Sequence, residues 1–96
     1  MQSAYPGLAT GTVGAIGELR VCVDLLAKGY EVFRSVSPSC SCDLLVFKSG
    51  VATRIEVRTS YRTKSGKVYY PIHNVRAEIV AAVLGDEVSY NPPLPS

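Results

Sequence analysis

The sequence predicts one domain with a helix at its start and a single mixed β-sheet, of α/β or α+β class. Three observations lead there. The 96 residues hold one core of ordinary size and no second. One stretch, residues 12–28, has the apolar spacing and the end signals of a helix. The remainder breaks into short apolar runs separated by turn signals, in the order strand, hairpin, hairpin, strand.

Residues 1–11 are small, polar and interrupted by Gly and Pro, and read as a lead-in to a domain over residues 12–90. Thr12 can cap the helix start, and Gly29 stands where a left-handed C-terminal cap belongs. Gly14 and Gly17 weaken the first turns and allow a backbone or a phosphate to come close. Residues 30–36 (YEVFRSV) have strand composition, and residues 37–42 form a turn-rich break. Residues 43–48 (DLLVFK) and 51–59 (VATRIEVRT) flank the tight-turn pair Ser49-Gly50, a hairpin signal. Lys64-Ser65-Gly66-Lys67 marks a second hairpin tip before a strand over residues 68–72. Residues 77–84 (AEIVAAVL) are apolar enough for a central strand or a short helix, and their length does not decide. Gly85-Asp86 turns into a last strand over residues 87–90, and the Pro-rich tail over 91–96 reads as loose chain.

Composition excludes more than it names. Apolar residues make up 47% of the chain, so a small core forms, and self-association into a homodimer or larger homo-oligomer is expected to supplement it. A net charge of +2 is too small to argue for a polyanion partner. Its distribution says more. Arg54, Arg58, Arg62, Lys64 and Lys67 are half of all ten basic residues, with Glu56 the only acid among them and Tyr61, Tyr69 and Tyr70 alongside. Such a run is a solvated hairpin or a nucleic-acid contact, and the aromatics favour the second. No stretch reaches the ~20 apolar residues of a membrane span, and no signal peptide is expected at this N-terminus. Three cysteines at unpatterned spacing make no disulfide framework, so a cytoplasmic protein with reduced thiols is expected.

Three carboxylates fall where the pattern does not want them. On a helical wheel, Ile16, Leu19, Cys22, Val23, Leu25 and Leu26 share one half, opposite Asp24 and Lys28. Glu18 lies inside that apolar arc. It either meets a cation there or sits at the margin and reaches water. In the first hairpin, a two-residue loop makes Lys48 face Val51, and counting back sets Asp43 directly opposite Glu56. Like charges so placed repel unless a cation lies between them. Mg²⁺ fits, since it uses one or two carboxylates and keeps water and phosphate oxygens as its other ligands. A three-residue loop would shift the register and part the pair. Arg58 and Arg54 lie on the same face of their strand as Glu56.

Gly14-x-x-Gly17-Glu18 on the helix, an Asp-Leu-Leu-Val strand at Asp43, and Glu56-x-Arg58 on the next strand together resemble the PD-(D/E)XK nuclease superfamily. Small Holliday-junction resolvases and compact homing endonucleases are the members most similar in outline. The likeness runs over about residues 12–92 and takes in Leu26-Ala27-Lys28-Gly29-Tyr30 and the closing VAAVLGDEVSYNPP. It implies a restriction-endonuclease-like α/β core of helix, three strands, helix and strand. It further implies that Asp43 and Glu56 ligate Mg²⁺ or Mn²⁺, with Glu18 supporting the metal or its water, in phosphodiester hydrolysis. Two positions depart from the pattern. Cys42 stands in place of the proline. Arg58 stands in place of the lysine, and it stays protonated, binding phosphate as a planar fork while taking up no proton.

The expectation is a Mg²⁺-dependent endonuclease cutting DNA, branched or structured DNA included and RNA not excluded. Glu18, Asp43, Glu56 and Arg58 would form its catalytic group, with Arg62, Lys64 and Lys67 on the backbone. The alternative is an inactive module of the same fold that binds nucleic acid or protein, and the third class is a purely structural protein. A zinc site from Cys22, Cys40, Cys42 and His73 matches no common spacing. No phosphate-binding glycine fingerprint follows a strand.

Overall fold

Helix α1 spans Thr10–Ala27 in the computed structural model, which describes residues 5–69 and 75–95. The helix starts two residues before the expected Thr12. Ala9 is the N-cap, with extended backbone and no side-chain cap, and its carbonyl already accepts the Thr12 and Val13 N–H groups at 3.0 and 3.1 Å. Thr12 therefore lies inside the first turn and does not cap it. The helix end follows expectation. Gly29 takes φ +87°, its N–H donates to the Leu26 carbonyl at 3.0 Å, and the Tyr30 N–H donates to that of Leu25 at 3.0 Å. This pair of bonds is a Schellman motif, and Leu25 and Tyr30 join the same buried cluster beneath it.

Seven strands follow: β1 (Glu31–Arg34), β2 (Leu44–Lys48), β3 (Val51–Thr59), β4 (Tyr61–Arg62), β5 (Val68–Tyr69), β6 (Ile79–Leu84) and β7 (Glu87–Asn91). Five form one mixed sheet in the order β1-β2-β3-β6-β7. Only β3 and β6 run parallel in it. The undecided segment over residues 77–84 is a strand. Lying between β3 and β7, it is buried on both faces, which suits its unbroken apolar composition. Ser49 and Gly50, both at positive φ, close the β2–β3 hairpin, and Lys48 pairs with Val51 as the two-residue loop requires.

The crossover from β3 to β6 departs from the core that the family resemblance implies. Where the family core carries its second helix and the sequence signalled a hairpin tip over residues 64–67, the described residues hold a short antiparallel hairpin, β4–β5, closed by the Thr63 N–H donating to the Lys67 carbonyl at 2.7 Å. The end of the strand expected over residues 68–72, together with Tyr70 and His73, lies outside the described residues.

The core lies between α1 and one face of the sheet. Val21, Cys22 and Leu25 pack on Leu44, Val46, Ile55, Ala81 and Val83. The helix turns a different face inward from the one its wheel suggested. Gly17, Val21, Cys22 and Leu25 are buried, whereas Leu19, Val23 and Leu26 are 51%, 66% and 58% exposed. The helix is apolar nearly all round, so hydrophobicity alone does not choose a side. The side carrying Gly17 is the one that packs on Val83, at ordinary van der Waals spacing. The C-terminal segment is not loose. Leu94 packs on the core, and the Tyr30 hydroxyl donates to the Pro95 carbonyl at 3.3 Å. No helix among the described residues is long and apolar enough to cross a membrane.

Candidate active site

Strand alternation sets the site. Ile55 and Val57 point from β3 into the core under α1, so Glu56 and Arg58 between and beyond them point to the other face. The β2–β3 ladder ends at Leu44 and Ile55, and Asp43 lies one step past it. The Asp43 N–H donates to the Ile55 carbonyl at 3.1 Å, and Asp43 Oδ2 accepts from the Val57 N–H at 2.8 Å. Asp43 thus brackets Glu56 through the residue on either side of it. The pair that the hairpin register predicted is adjacent, held by a side-chain bond rather than by a further ladder pair.

The electrostatics follow from this packing. Burial, and after it the Asp43 carboxylate, push the Glu56 carboxyl above the usual carboxylate range, while Arg58 and Arg76 work against that shift. Arg58 Nη2 lies 3.1 Å from Glu56 Oε2, and both side chains are about three-quarters covered. Desolvation strengthens such a contact relative to a surface pair. Glu18 enters from α1, on the other side of β3. Its Oε1 accepts from Arg34 Nη2 at 3.2 Å, and its charge is the weakest of those acting on Glu56. The structure therefore brings Asp43, Glu56 and Arg58 together and leaves Glu18 engaged by Arg34. Among the described residues, no three His, Cys, Asp or Glu side chains gather about one point as a ready metal cage.

The donor chemistry nevertheless fits a hard divalent cation. Adjacent carboxylates of this kind are the oxygen ligands Mg²⁺ takes from protein, with water and phosphate completing its shell. The three cysteines offer no such set. Cys22 is in the core with its thiol pushed up by burial, and Cys40 and Cys42 are free near the surface. His73 lies outside the described residues.

The basic residues divide into two groups. Arg62, Lys64 and Lys67 are exposed on the β4–β5 hairpin, with Arg62 Nη1 donating to the Gly66 carbonyl at 3.4 Å. Arg54 is committed elsewhere. Its backbone N–H and its Nε both donate to the Glu78 carboxylate, at 2.9 and 2.6 Å. Three relevant residues escaped the sequence reading. Glu78 captures Arg54, Arg76 faces Glu56 and donates to the Cys40 carbonyl at 3.3 Å, and Arg34 holds Glu18. A signal for Arg34 was present: it shares a strand face with Val32, the apolar side that packs toward the helix. Glu78 and Arg76 gave none, since both precede β6 in irregular chain.

Comparison with known proteins agrees with this architecture. A family model described as PD-(D/E)XK endonuclease matches residues 8–89. Among solved structures, a bacterial homing endonuclease, I-Ssp6803I, superposes with a TM-score of 0.77 at 18% sequence identity, which establishes a shared fold. The alignment covers 85% of this chain and 64% of that one, so this chain spans about two-thirds of its structural neighbour's length. No curated protein sequence matches. The helix, the mixed five-stranded sheet and the Asp43/Glu56 pair thus sit on a restriction-endonuclease-like fold, and the chain belongs to the PD-(D/E)XK endonuclease family.

Proposed function

We propose that the protein is a Mg²⁺-dependent DNA endonuclease of the cytoplasm, in which Mn²⁺ can replace Mg²⁺. The observation that carries this reading is the Asp43–Glu56–Arg58 group. Two carboxylates crowd each other on adjoining strands, with a guanidinium 3.1 Å from one of them. Asp43 and Glu56 would hold the cation, which supplies charge to polarise the phosphate and to activate water. The Val57 N–H on Oδ2 fixes the Asp43 carboxylate against the β3 backbone, so Asp43 would be held in place for a cation before one binds. Glu18, paired with Arg34 on the α1 side of β3, would have to leave that pairing to orient water at the edge of this group. Arg58 turns from Glu56 to the scissile phosphate and binds it bidentately. It takes no proton, because a guanidinium stays charged. The hairpin cations Arg62, Lys64 and Lys67 track the backbone and give affinity that falls with salt. One small site per chain and two strands per duplex call for a symmetric pair of chains. The proposed substrate class is DNA, structured or branched forms included, with RNA as the comparison substrate.

A second reading keeps the fold and drops the turnover, leaving a module that binds nucleic acid or protein. One observation favours it: Arg58 neutralises Glu56 within the chain and so competes with a cation for that carboxylate.

The deciding experiment is cleavage of duplex, single-stranded and four-way-junction DNA by the natural protein and by Arg58→Lys, with and without chelator. Chelator-sensitive cleavage that is lost in Asp43→Ala and in Glu56→Ala establishes the nuclease. Cleavage gained only in Arg58→Lys favours the binding module. Metal-dependent cleavage untouched by Asp43→Ala or Glu56→Ala refutes the site.

A further inference from the structure

Helix α1 is apolar on both sides, and only one side is covered. Its inner face, Gly17, Val21, Cys22 and Leu25, meets the sheet. On the opposite side Leu19, Val23 and Leu26 are more than half exposed. Beside and partly formed by them, an open groove of about 450 Å³ runs between α1 and β7, its apolar lining including Ile16, Leu19, Val23 and Val88 and its charged edge Arg20, Asp24 and Asp86. Helices of this kind are ordinarily buried on all sides, and a contiguous exposed apolar patch marks a surface awaiting a partner. Three large aliphatic side chains standing together in water, on a chain with so small a core, are a cost that association removes.

We infer that this face binds a second copy of the same chain, α1 against α1 in antiparallel order about a two-fold axis level with Cys22 and Val23. The charge pattern selects this partner. A two-fold perpendicular to paired antiparallel helices returns each flank of the helix to the same flank of its partner. Leu19 and Leu26 occupy one flank and Arg20 and Asp24 the other, by their angles on the wheel. With the axis at this level, Leu19 meets the partner's Leu26, and Leu26 meets the partner's Leu19. Arg20 comes beside the partner's Asp24, and Asp24 beside the partner's Arg20, while Val23 approaches its own copy. A flank that carries one cation and one anion four residues apart is self-complementary only in this antiparallel sense. Within the chain Arg20 gives Nε and Nη2 to the Tyr5 hydroxyl, and Asp24 accepts from Lys28 at both oxygens and from Tyr90, yet the Asp24 side chain keeps 29% of its surface open to a partner. The inference rests on the proposed function only in supplying the two sites that a duplex needs. The face itself involves neither the metal carboxylates nor the basic hairpin.

Analytical ultracentrifugation of the full chain without metal or DNA tests it. The expected result is a mass that rises with concentration from 10.3 kDa toward twice that value. Val23→Glu is expected to hold the chain monomeric throughout, with an unchanged circular dichroism spectrum because the side chain is 66% exposed. Leu19→Lys alone and Leu26→Glu alone are each expected to weaken the dimer about tenfold, through burial of an unpaired charge. A chain carrying both substitutions is expected to dimerise again, because each lysine then meets the partner's glutamate. A natural protein that stays at 10.3 kDa up to millimolar concentration overturns the inference, as does a dimer indifferent to Val23→Glu. Failure of the double variant to recover overturns the antiparallel register. Loss of cleavage in a chain that still dimerises bears on the nuclease reading alone.

Discussion

Replacing Asp43 separates its two tasks. The carboxylate is proposed to hold a cation, and in the chain itself it accepts the Val57 N–H at 2.8 Å just where the β2–β3 ladder has ended. Asp43→Ala removes both the negative charge and the acceptor, leaving a half-buried backbone donor in the central strand with nothing to replace it. A hydrogen bond to a charged group contributes about 1.5–3 kcal/mol, and an orphaned donor costs a similar amount. Asp43→Asn keeps an acceptor oxygen of the same reach and removes only the charge, so it is expected to cost less than about 1 kcal/mol. Loss of the like charge beside Glu56 offsets part of even that cost. For a chain of this size the urea m-value is about 1–1.5 kcal/mol/M, so Asp43→Ala lowers the unfolding midpoint by about 1–3 M and Asp43→Asn by less than about 1 M. Both variants are expected to lose Mn²⁺ binding, read by titration followed with electron paramagnetic resonance. The assay is thus a pair of measurements, urea unfolding and metal titration. Equal midpoints for the alanine and asparagine variants refute the positioning argument, and retained Mn²⁺ affinity in both refutes the assignment of Asp43 as a ligand.

Three further outcomes follow from particular contacts. Arg34→Ala frees Glu18 and removes a cation from the rim of the carboxylate group; DNA affinity is expected to fall evenly across sequences, with the salt-dependence slope reduced by about 1, and an unchanged slope by fluorescence anisotropy rules Arg34 out as a phosphate contact. Gly29→Ala places a β-carbon at φ +87° in the helix cap and is expected to cost about 1 kcal/mol, a fall in Tm of about 4–8 °C; a Tm within 1 °C of the natural protein would mean that the cap relaxes freely. Burial opposes the charge on Asp24, but the hydrogen bonds from Lys28 and Tyr90 outweigh it and hold the carboxyl below its usual range. The folded-state pKa being the lower one, this stabilisation is full above the unfolded-state value of about 4 and disappears as pH falls through the folded one. The stability gap between the natural protein and Asp24→Asn is therefore expected to be constant from pH 6 to 8 and to shrink below about pH 4, and a gap that widens in acid contradicts the assignment.

What the sequence revealed, it revealed through local rules. The two-residue loop at Ser49-Gly50 fixes the register of β2 on β3, so the adjacency of Asp43 and Glu56 could be counted out from a dipeptide. Gly29 announced the helix end because only a left-handed residue makes that cap. The inward face of α1 was not legible. A helix apolar nearly all round carries little amphipathic signal, and the side that packs is set by contacts such as Gly17 on Val83, sixty-six residues apart. Thr12 misled for a related reason: a capping residue type says nothing when the chain before it can already turn, as Ala9 does. The pairings of Glu18 with Arg34 and of Arg54 with Glu78 join residues 16 and 24 positions apart, and no spacing rule reaches so far. The resemblance supplied the chemical class and left the second helix open, because its motifs sit on α1, β2 and β3 and constrain nothing in the crossover.

That crossover has a consequence for how the protein can change. Asp43, Glu56 and Arg58 come from a single hairpin sixteen residues long, whereas the exposed cations stand on a separate two-stranded arm inserted between β3 and β6. The arm has its own ladder and, among the described residues, no strand pairing with the main sheet, so its length, charge and tip can vary without shifting the carboxylates. Exchanging residues 61–69 for other basic hairpins is a route to new nucleic-acid preferences on an unaltered chemical centre.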